Sequence, residues 1–388
     1  MSTAADEQFL RRALELARKG IGLASPNPYV GAIIVDANDN VVGEGTHIYE
    51  GVKHAEILAL EQAGASARGG TLYINLEPHA HQGRTPPCTA ALIAAGIKRV
   101  VASMADPNPE VSGRGFEQLH VAGIEVEIGG LADEARCLNE AFARYIRHGI
   151  PFVTLKSAMT LDGKIAPRPS QISADSQKDS KDNGFSGIWI TGEVARVHVH
   201  ELRHQYDAIL VGIGTVLNDN PLLTDRSGRP RRRPLLRVIL DSHLRLPLDC
   251  QLVQSADKLS SDLLVFYSQA DEKKKIQLEQ HGVRVERVTT GTNSRPDFPD
   301  VLRRLAELEI TSLMIEGGSA INGAVLASGL ADKVFLYYAP KLFGAENAVP
   351  FASGFSQSPL PHPRIKSVKL HNFGDDIAIE GYLRDPYA

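Results

Sequence analysis

EPHAHQGRTPPC, residues 77–88, lies between two apolar segments, and its reading decides how the first part of the chain is built. TLYINL (71–76) leads directly into it as a strand. CTAALIAAG (88–96) follows it as a helix that starts at Cys88 and is stopped by Gly96. Pro86 and Pro87 suit that helix start, where a missing N–H leaves no hydrogen bond unmade. The loop carries three side chains that can bind a transition metal: His79, His81 and Cys88.

Outward from this loop the chain alternates strands and helices. YVGAIIV (29–35) and VVGEG (41–45) predict a strand pair across the turn DANDN. HAEILALEQAG (54–64) predicts a helix ended by Gly64. KRVVASM, GRGFEQLHVAG and IEVEIG continue the βαβ rhythm, and LADEARCLNEAFARYIRHG closes the unit near residue 148. The N-terminal MSTAADEQFLRRALELARKG predicts an amphipathic helix with Phe9, Leu10, Leu14 and Ala17 on one face. Together these predict a mostly parallel sheet with helices on both sides. IPFVTLKSAMTLDGKIA (150–166) opens a second strand system, which continues through DAILVGIGTVL, LLRVILDS, DLLVFYS, SLMIEGG and KVFLYYAPKLFG. We therefore expect two domains, 1–148 and 149–388. The polar, aperiodic stretch 167–187 is expected as a surface loop of the second, and RPRRR (229–233) as a solvated loop or a phosphate contact.

Composition narrows the function classes. The 388 residues are 43% hydrophobic and carry a formal charge of −4. General nucleic-acid binding, which needs clustered Lys and Arg against phosphates, is not expected. Three scattered cysteines, Cys88, Cys137 and Cys250, form no disulfide framework, which suits a reducing cytoplasm. Neither a signal peptide nor an apolar run of roughly 18 residues is present, so no membrane partner is expected.

His54 and Glu56 stand two residues apart, a spacing that points side chains to different sides of a helix. At a helix start the pair makes chemical sense: His54 binds a metal and Glu56 carries a proton. Cys88, at another helix start, is expected to have its thiol eased toward the thiolate. Three protein ligands with one open position is the catalytic zinc arrangement. Zinc deaminases show H-x-E and then P-C-x-x-C; in this chain the residue after Pro78 is His79, not cysteine.

NPYVGAIIV, GEGTH, HAE, EP…GRTPPC and DPNPEVSGRG, in this order, resemble the pyrimidine deaminase domain of the bifunctional riboflavin-biosynthesis deaminase/reductase family. KSAMTLDGKIA, WIT, LRHQYDAILVGIGTVLNDNPLLTDR, VILDS, IEGG and APKLFG are similar to its reductase domain. The resemblance implies a cytidine-deaminase-like three-layer αβα domain followed by a dihydrofolate-reductase-like α/β domain. It implies Zn²⁺ on His54, Cys88 and the residue at position 79, with Glu56 as catalytic proton carrier. His79 in place of cysteine keeps the ligand count and leaves the site one charge more positive; His81 is not expected to replace it.

The resemblance further implies NADPH as second cofactor. Its contacts would be Ala158, Trp189, Thr215, Asp219, Ser242 and the loop Gly318, Ser319, Ala320, Ile321, Asn322, Gly323 and Ala324. The substrate, a pyrimidine ribonucleotide, would be held by Gly187, Arg203, Leu223, Arg226 and Glu316, the two arginines suiting its phosphate. A homo-oligomer is expected. From the residues alone, Gly212 and Gly214 are an ordinary tight turn, and IEGGSAINGAVL offers a helix start to a diphosphate without a full G-x-G-x-x-G. Two other readings stay open: a nucleic-acid-editing deaminase, and a reductase whose decayed deaminase half is only a structural module.

Overall fold

The computed structural model describes residues 4–83, 85–167, 189–256, 259, 261–291, 294–344, 346, 348–354 and 363–388. Gly187 and most of the stretch 167–187 lie outside the described residues. The chain divides into two compact units, one of Met1–Gly149 with Pro230–Arg233 and Tyr387, the other of essentially the remainder.

The first unit is a five-stranded sheet in the order β2-β1-β3-β4-β5. Its strands are β1 (Gly31–Val35), β2 (Val41–Thr46), β3 (Thr71–Ile74), β4 (Arg99–Ala102) and β5 (Glu125–Ile128). The expectation of a mostly parallel sheet holds only for β3-β4-β5. β1 runs antiparallel to both β2 and β3. The hairpin at 36–40 reverses β1 into β2, and β1 is inserted beside β3 without a right-handed crossover to make it parallel.

Side chains alternate across β1. Ile33 and Val35 pack with Leu10, Ala13 and Leu16 of helix α1 (Ala4–Arg18). Ala32 and Ile34 face the opposite way, toward Ala55 and Ala59 of α2 (Ala55–Ala63) and Leu92 of α3 (Cys88–Ala95). Helices on both faces make the three-layer αβα unit, completed by α4 (Arg114–Val121), α5 (Ala132–Leu138) and α6 (Glu140–His148). RPRRR does not act simply as a solvated loop: Arg232 donates its N–H to the Gly22 carbonyl at 2.8 Å and lays its guanidinium 4.1 Å over the Tyr49 ring.

The second unit is a nine-stranded sheet in the order β11-β10-β9-β8-β12-β6-β13-β16-β15. These are β6 (Phe152–Thr160), β8 (Ala208–Gly212), β9 (Leu236–Leu240), β10 (Leu263–Tyr267), β11 (Arg284–Arg287), β12 (Ser312–Ile315), β13 (Lys333–Ala339), β15 (Lys366–Phe373) and β16 (Asp376–Tyr382); β7 (Lys164–Ala166) and β14 (Val349–Pro350) form a separate pair. The strands from β11 to β13 are parallel, and β16 and β15 close the sheet antiparallel. The central strands are buried on both faces, which explains their unbroken apolar runs. Ile209 and Val211 join α7 (Glu193–His204), α8 (Ile213–Asp219), α9 (Gln251–Gln254) and α10 (Glu272–Gln280) in one core. Ala208 and Leu210 join α11 (Phe298–Glu307) and α12 (Ser319–Ser328) in the other.

Candidate active sites

In the first unit, β2 sets the entry of α2. A Cβ on Gly45 would stand 2.0 Å from the Ala55 carbonyl oxygen, and one on Gly43 2.1 Å from that of Ala59. Only glycine lets the helix lie this close to the strand. The helix therefore starts above the sheet with His54 as its extended N-cap residue and Glu56 in the first turn. Cys88 is the first residue of α3 behind Pro87, so both helix starts expected from the sequence are present.

These starts and the intervening loop bring one donor atom each from His54, His79 and Cys88 within 4.8 Å of one another. Nδ1 of His54 is 3.3 Å from Sγ of Cys88. Nδ1 of His79 is buried and makes no hydrogen bond among the described residues. Glu56, 3% exposed, accepts the His79 N–H on Oε1 at 3.3 Å. His81 is exposed and is not part of the converging group. Burial, with help from neighbouring imidazoles, pushes His54 and His79 down to about 4, so both are neutral lone-pair donors near pH 7. Burial raises Glu56.

Cys88 departs from expectation. Burial, then the Glu56 carboxylate, raises its thiol and outweighs the helix start. A bound cation would reverse this, since a coordinating thiol gives up its proton outright. Two neutral imidazoles, one of them with an orphaned buried nitrogen, and one thiol are a three-donor set that fits a zinc ion with an open position.

Glu77 was not singled out in the sequence. Its buried carboxylate accepts the N–H groups of Asp106 at 2.9 Å, Gly113 at 2.8 Å and Gly115 at 2.7 Å, tying the DPNPEVSGRG loop to the ligand loop.

In the second unit the remaining named residues gather where parallel strands end, the usual ligand position of such sheets. Thr215 and Asp219 lie on α8 after β8, and Ser242 follows β9 and its next residue Asp241; the expected loop from Gly318 is instead helical, with Gly318 the N-cap of α12 and Ser319–Ala324 its first residues. Among the described residues, Oγ of Ser319 and Oδ1 of Asn322 are buried without hydrogen-bond partners at that helix start; the Ser319 hydroxyl can donate to a phosphate oxygen, whereas the Asn322 oxygen only accepts and suits a hydroxyl or amide donor. Ala158 lies on β6. Trp189 is 41% exposed with the Arg196 guanidinium 4.7 Å over its ring, so it is not core filler. Leu223 is buried at φ +54°, a backbone state that strains a leucine.

Glu316, directly after β12, anchors an ion triad. It takes Arg203 Nε at 2.8 Å and Nη2 at 3.1 Å, and Lys156 Nζ at 3.4 Å. Nη1 of Arg203 donates to the Thr224 carbonyl at 3.1 Å. Arg203 is thus committed to a carboxylate, whereas Arg226 is exposed and only touches Thr224 Oγ1 at 3.3 Å. Burial would raise Glu316, but Arg203 and Lys156 hold it down to about 2. Lys156 itself is lowered by burial. The sequence reading passed over Lys156, although a lysine inside the apolar strand FVTLKSAMT was a usable signal.

Comparison with known proteins matches both units. The cytidine and deoxycytidylate deaminase zinc-binding region matches residues 3–104, and the RibD C-terminal domain matches 151–379. Riboflavin biosynthesis protein RibD of Actinobacillus pleuropneumoniae is 42% identical over 388 residues, covering 99% of this chain and 97% of the relative. That of Aquifex aeolicus is 39% identical, covering 96% and 97%. Among solved structures, Acinetobacter baumannii RibD superposes with a TM-score of 0.80 at 34% identity, covering 97% of this chain and 98% of that one. A Thermotoga maritima diaminohydroxyphosphoribosylaminopyrimidine deaminase/5-amino-6-(5-phosphoribosylamino)uracil reductase gives 0.78 at 37% identity, covering 97% and 98%. With a deaminase unit and a reductase unit both present over its length, the chain belongs to the RibD family of bifunctional, zinc- and NADPH-using riboflavin-biosynthesis enzymes.

Proposed function

We propose that residues 1–148 deaminate 2,5-diamino-6-(5-phosphoribosylamino)pyrimidin-4(3H)-one and that residues 149–388 reduce the product to 5-amino-6-(5-phosphoribitylamino)uracil. The observation that carries this reading is the convergence of His54, His79 and Cys88 within 4.8 Å beside the buried Glu56. His54, His79 and Cys88 hold the zinc ion. Bound zinc supplies the Lewis acidity that makes water nucleophilic near neutral pH. Glu56 takes the proton that the attacking water loses and returns it to the amino nitrogen, which leaves as ammonia. Water exclusion around Glu56 keeps that proton from bulk solvent.

In the second step NADPH supplies the hydride that opens the ribosyl group to a ribityl chain. Thr215, Asp219, Ser242 and Gly318–Ala324, together with Ala158 and Trp189, are the residues that would hold the cofactor. The fixed charges of Lys156, Arg203 and Glu316 orient the pyrimidine, Leu223 packs on it, and Arg226 takes the phosphate. Gly187 keeps its proposed substrate contact only by resemblance.

A homo-oligomer is supported by Val368 and Leu370, 52% and 72% exposed on the sheet-end strand β15. No helix among the described residues is long and apolar enough to cross a membrane, and no disulfide joins the three cysteines; both accord with a cytoplasmic site of action. Incubating the chain with the diaminopyrimidine nucleotide, with and without NADPH, tests the reading. The ribosylamino-uracil should accumulate without NADPH and the ribitylamino-uracil form with it. Recovery of unreacted substrate in both would refute the deaminase assignment.

A further inference from the structure

His79 turns its two ring nitrogens to different places. Nδ1 is buried and makes no hydrogen bond among the described residues. Nε2 lies 3.3 Å from Nε2 of His81, with ring centroids 4.2 Å apart and ring planes at 68°. His54 is arranged alike: Nδ1 is 3.3 Å from Cys88 Sγ, and Nε2 is 3.3 Å from Thr85 Oγ1. Two facing imidazole nitrogens share a hydrogen bond only when one carries the proton and the other offers its lone pair.

We infer that His81 is the positioning partner of His79: it accepts the Nε2–H proton and so leaves the Nδ1 lone pair aimed at the metal position. The inference rests on the reading of His79 as a metal ligand and deepens it. A thiolate has no tautomer and needs no such partner. An imidazole offers its inner nitrogen to a metal only while its outer nitrogen holds the proton, and a hydrogen bond at the outer nitrogen selects that form. The residue type at position 79 therefore creates the need that His81 meets.

The fold holds the pair in place. The His79 carbonyl accepts the Thr89 N–H at 3.2 Å, and the Ala80 carbonyl, between the two histidines, accepts Gln118 Nε2 at 3.1 Å. Gln118 is itself fixed by the Thr89 hydroxyl at 2.7 Å. Gly83 turns the loop back over both rings; a Cβ there would sit 3.6 Å from His81 Nε2 and 3.7 Å from His79 Nε2. The opposite tautomer would need an inner acceptor. The Pro86 carbonyl lies near enough to His79 to favour its charged form, but among the described residues Nδ1 makes no hydrogen bond.

The test is zinc affinity of the full chain, measured by chelator competition in a double-mutant cycle. His81→Ala should weaken zinc about tenfold, at the lower end for loss of an outer partner because His81 is exposed. In a His79→Cys background the same change should cost nothing. His81→Gln should recover most of the loss, since its amide oxygen can accept the same proton. Long-range ¹H–¹⁵N spectra of the zinc-loaded chain should show His79 protonated at Nε2. Equal loss in both backgrounds would make His81 a loop residue and overturn the inference, as would no loss in either, or a His79 protonated at Nδ1. Full zinc retention in His79→Ala would instead remove the ligand reading beneath it.

Discussion

Glu56 and Glu316 are both withdrawn from water, and the protein shifts their pKa values in opposite directions. Glu56 is 3% exposed among neutral imidazoles and a thiol, and burial raises it. Glu316, with its side chain 13% exposed, has the Arg203 guanidinium and the Lys156 ammonium against its oxygens, which hold it down to about 2. Burial alone decides neither role; the charge of the nearest partners does. A carboxyl that burial makes more basic is better able to take up a proton and pass it on. A carboxylate pinned between two cations can only present a fixed charge.

The largest effect should come from breaking the first member of this pair. Glu56→Gln keeps the shape and removes the proton site. Deamination should fall by a factor on the order of 10³, within the usual range for a general acid–base group. Reduction of supplied ribosylamino-uracil should continue at its normal rate. Loss of both activities in a variant that still binds zinc would mean that the two sites are not independent.

Removing the charge of Glu316 should act on stability. Glu316→Gln leaves Lys156 and Arg203 buried without their counter-charge, which typically costs about 3–5 kcal/mol. The unmodified chain should show a matching acid sensitivity. The folded pKa lies below the ordinary 4.5, so this stabilisation is complete above that pH and disappears as pH falls toward 2. At ~1.4 kcal/mol per pH unit the lost amount is on the order of 3 kcal/mol. Trp189, the only tryptophan, lies in the same unit and reports its unfolding. Denaturation curves followed by its fluorescence should lose this pH dependence in Glu316→Gln; an unchanged acid limb would show that the triad does not hold the carboxylate down.

The comparison also separates what was legible in the sequence from what was not. His54, Glu56 and Cys88 stand at helix starts marked by glycines and prolines, so local rules place them. The two-faced cores follow from strand alternation, as Ile33 and Ile34 show by packing into different clusters. The antiparallel insertion of β1 beside β3 has no local signal, because strand partners are chosen by tertiary packing. The raised Cys88 thiol was misjudged for a related reason: a helix start is visible in sequence, but the depth of burial and the approach of Glu56 are not. The pairing of Arg203 with Glu316 had no local signal either, because the two are more than a hundred residues apart in the chain.

A smaller effect is expected on cofactor choice. Family membership implies NADPH, and Ser242, just past the end of β9, is a candidate neighbour of its adenosine ribose or 2′-phosphate. Reduction should favour NADPH over NADH by at least about tenfold in kcat/KM, about 1.4 kcal/mol. Ser242→Asp, which sets a like charge beside the phosphate, should narrow that ratio. Equal kcat/KM for the two cofactors in the unmodified chain would remove the assignment.

The smallest effect concerns the two arginines of the reductase unit. Arg203 spends its guanidinium on Glu316 and the Thr224 carbonyl, whereas Arg226 is exposed with one contact, to the Thr224 hydroxyl. A mobile phosphate should therefore be met by Arg226. Because that charge pair forms in water, it is worth only about 1 kcal/mol and is screened by salt. Arg226→Ala should raise KM for the phosphorylated substrate by roughly fivefold with kcat unchanged, the mark of binding lost equally in ground and transition states. The rise should shrink at high ionic strength and vanish with a substrate lacking the phosphate. A fall in kcat instead would place Arg226 at the reacting ribose and return the phosphate to another cation.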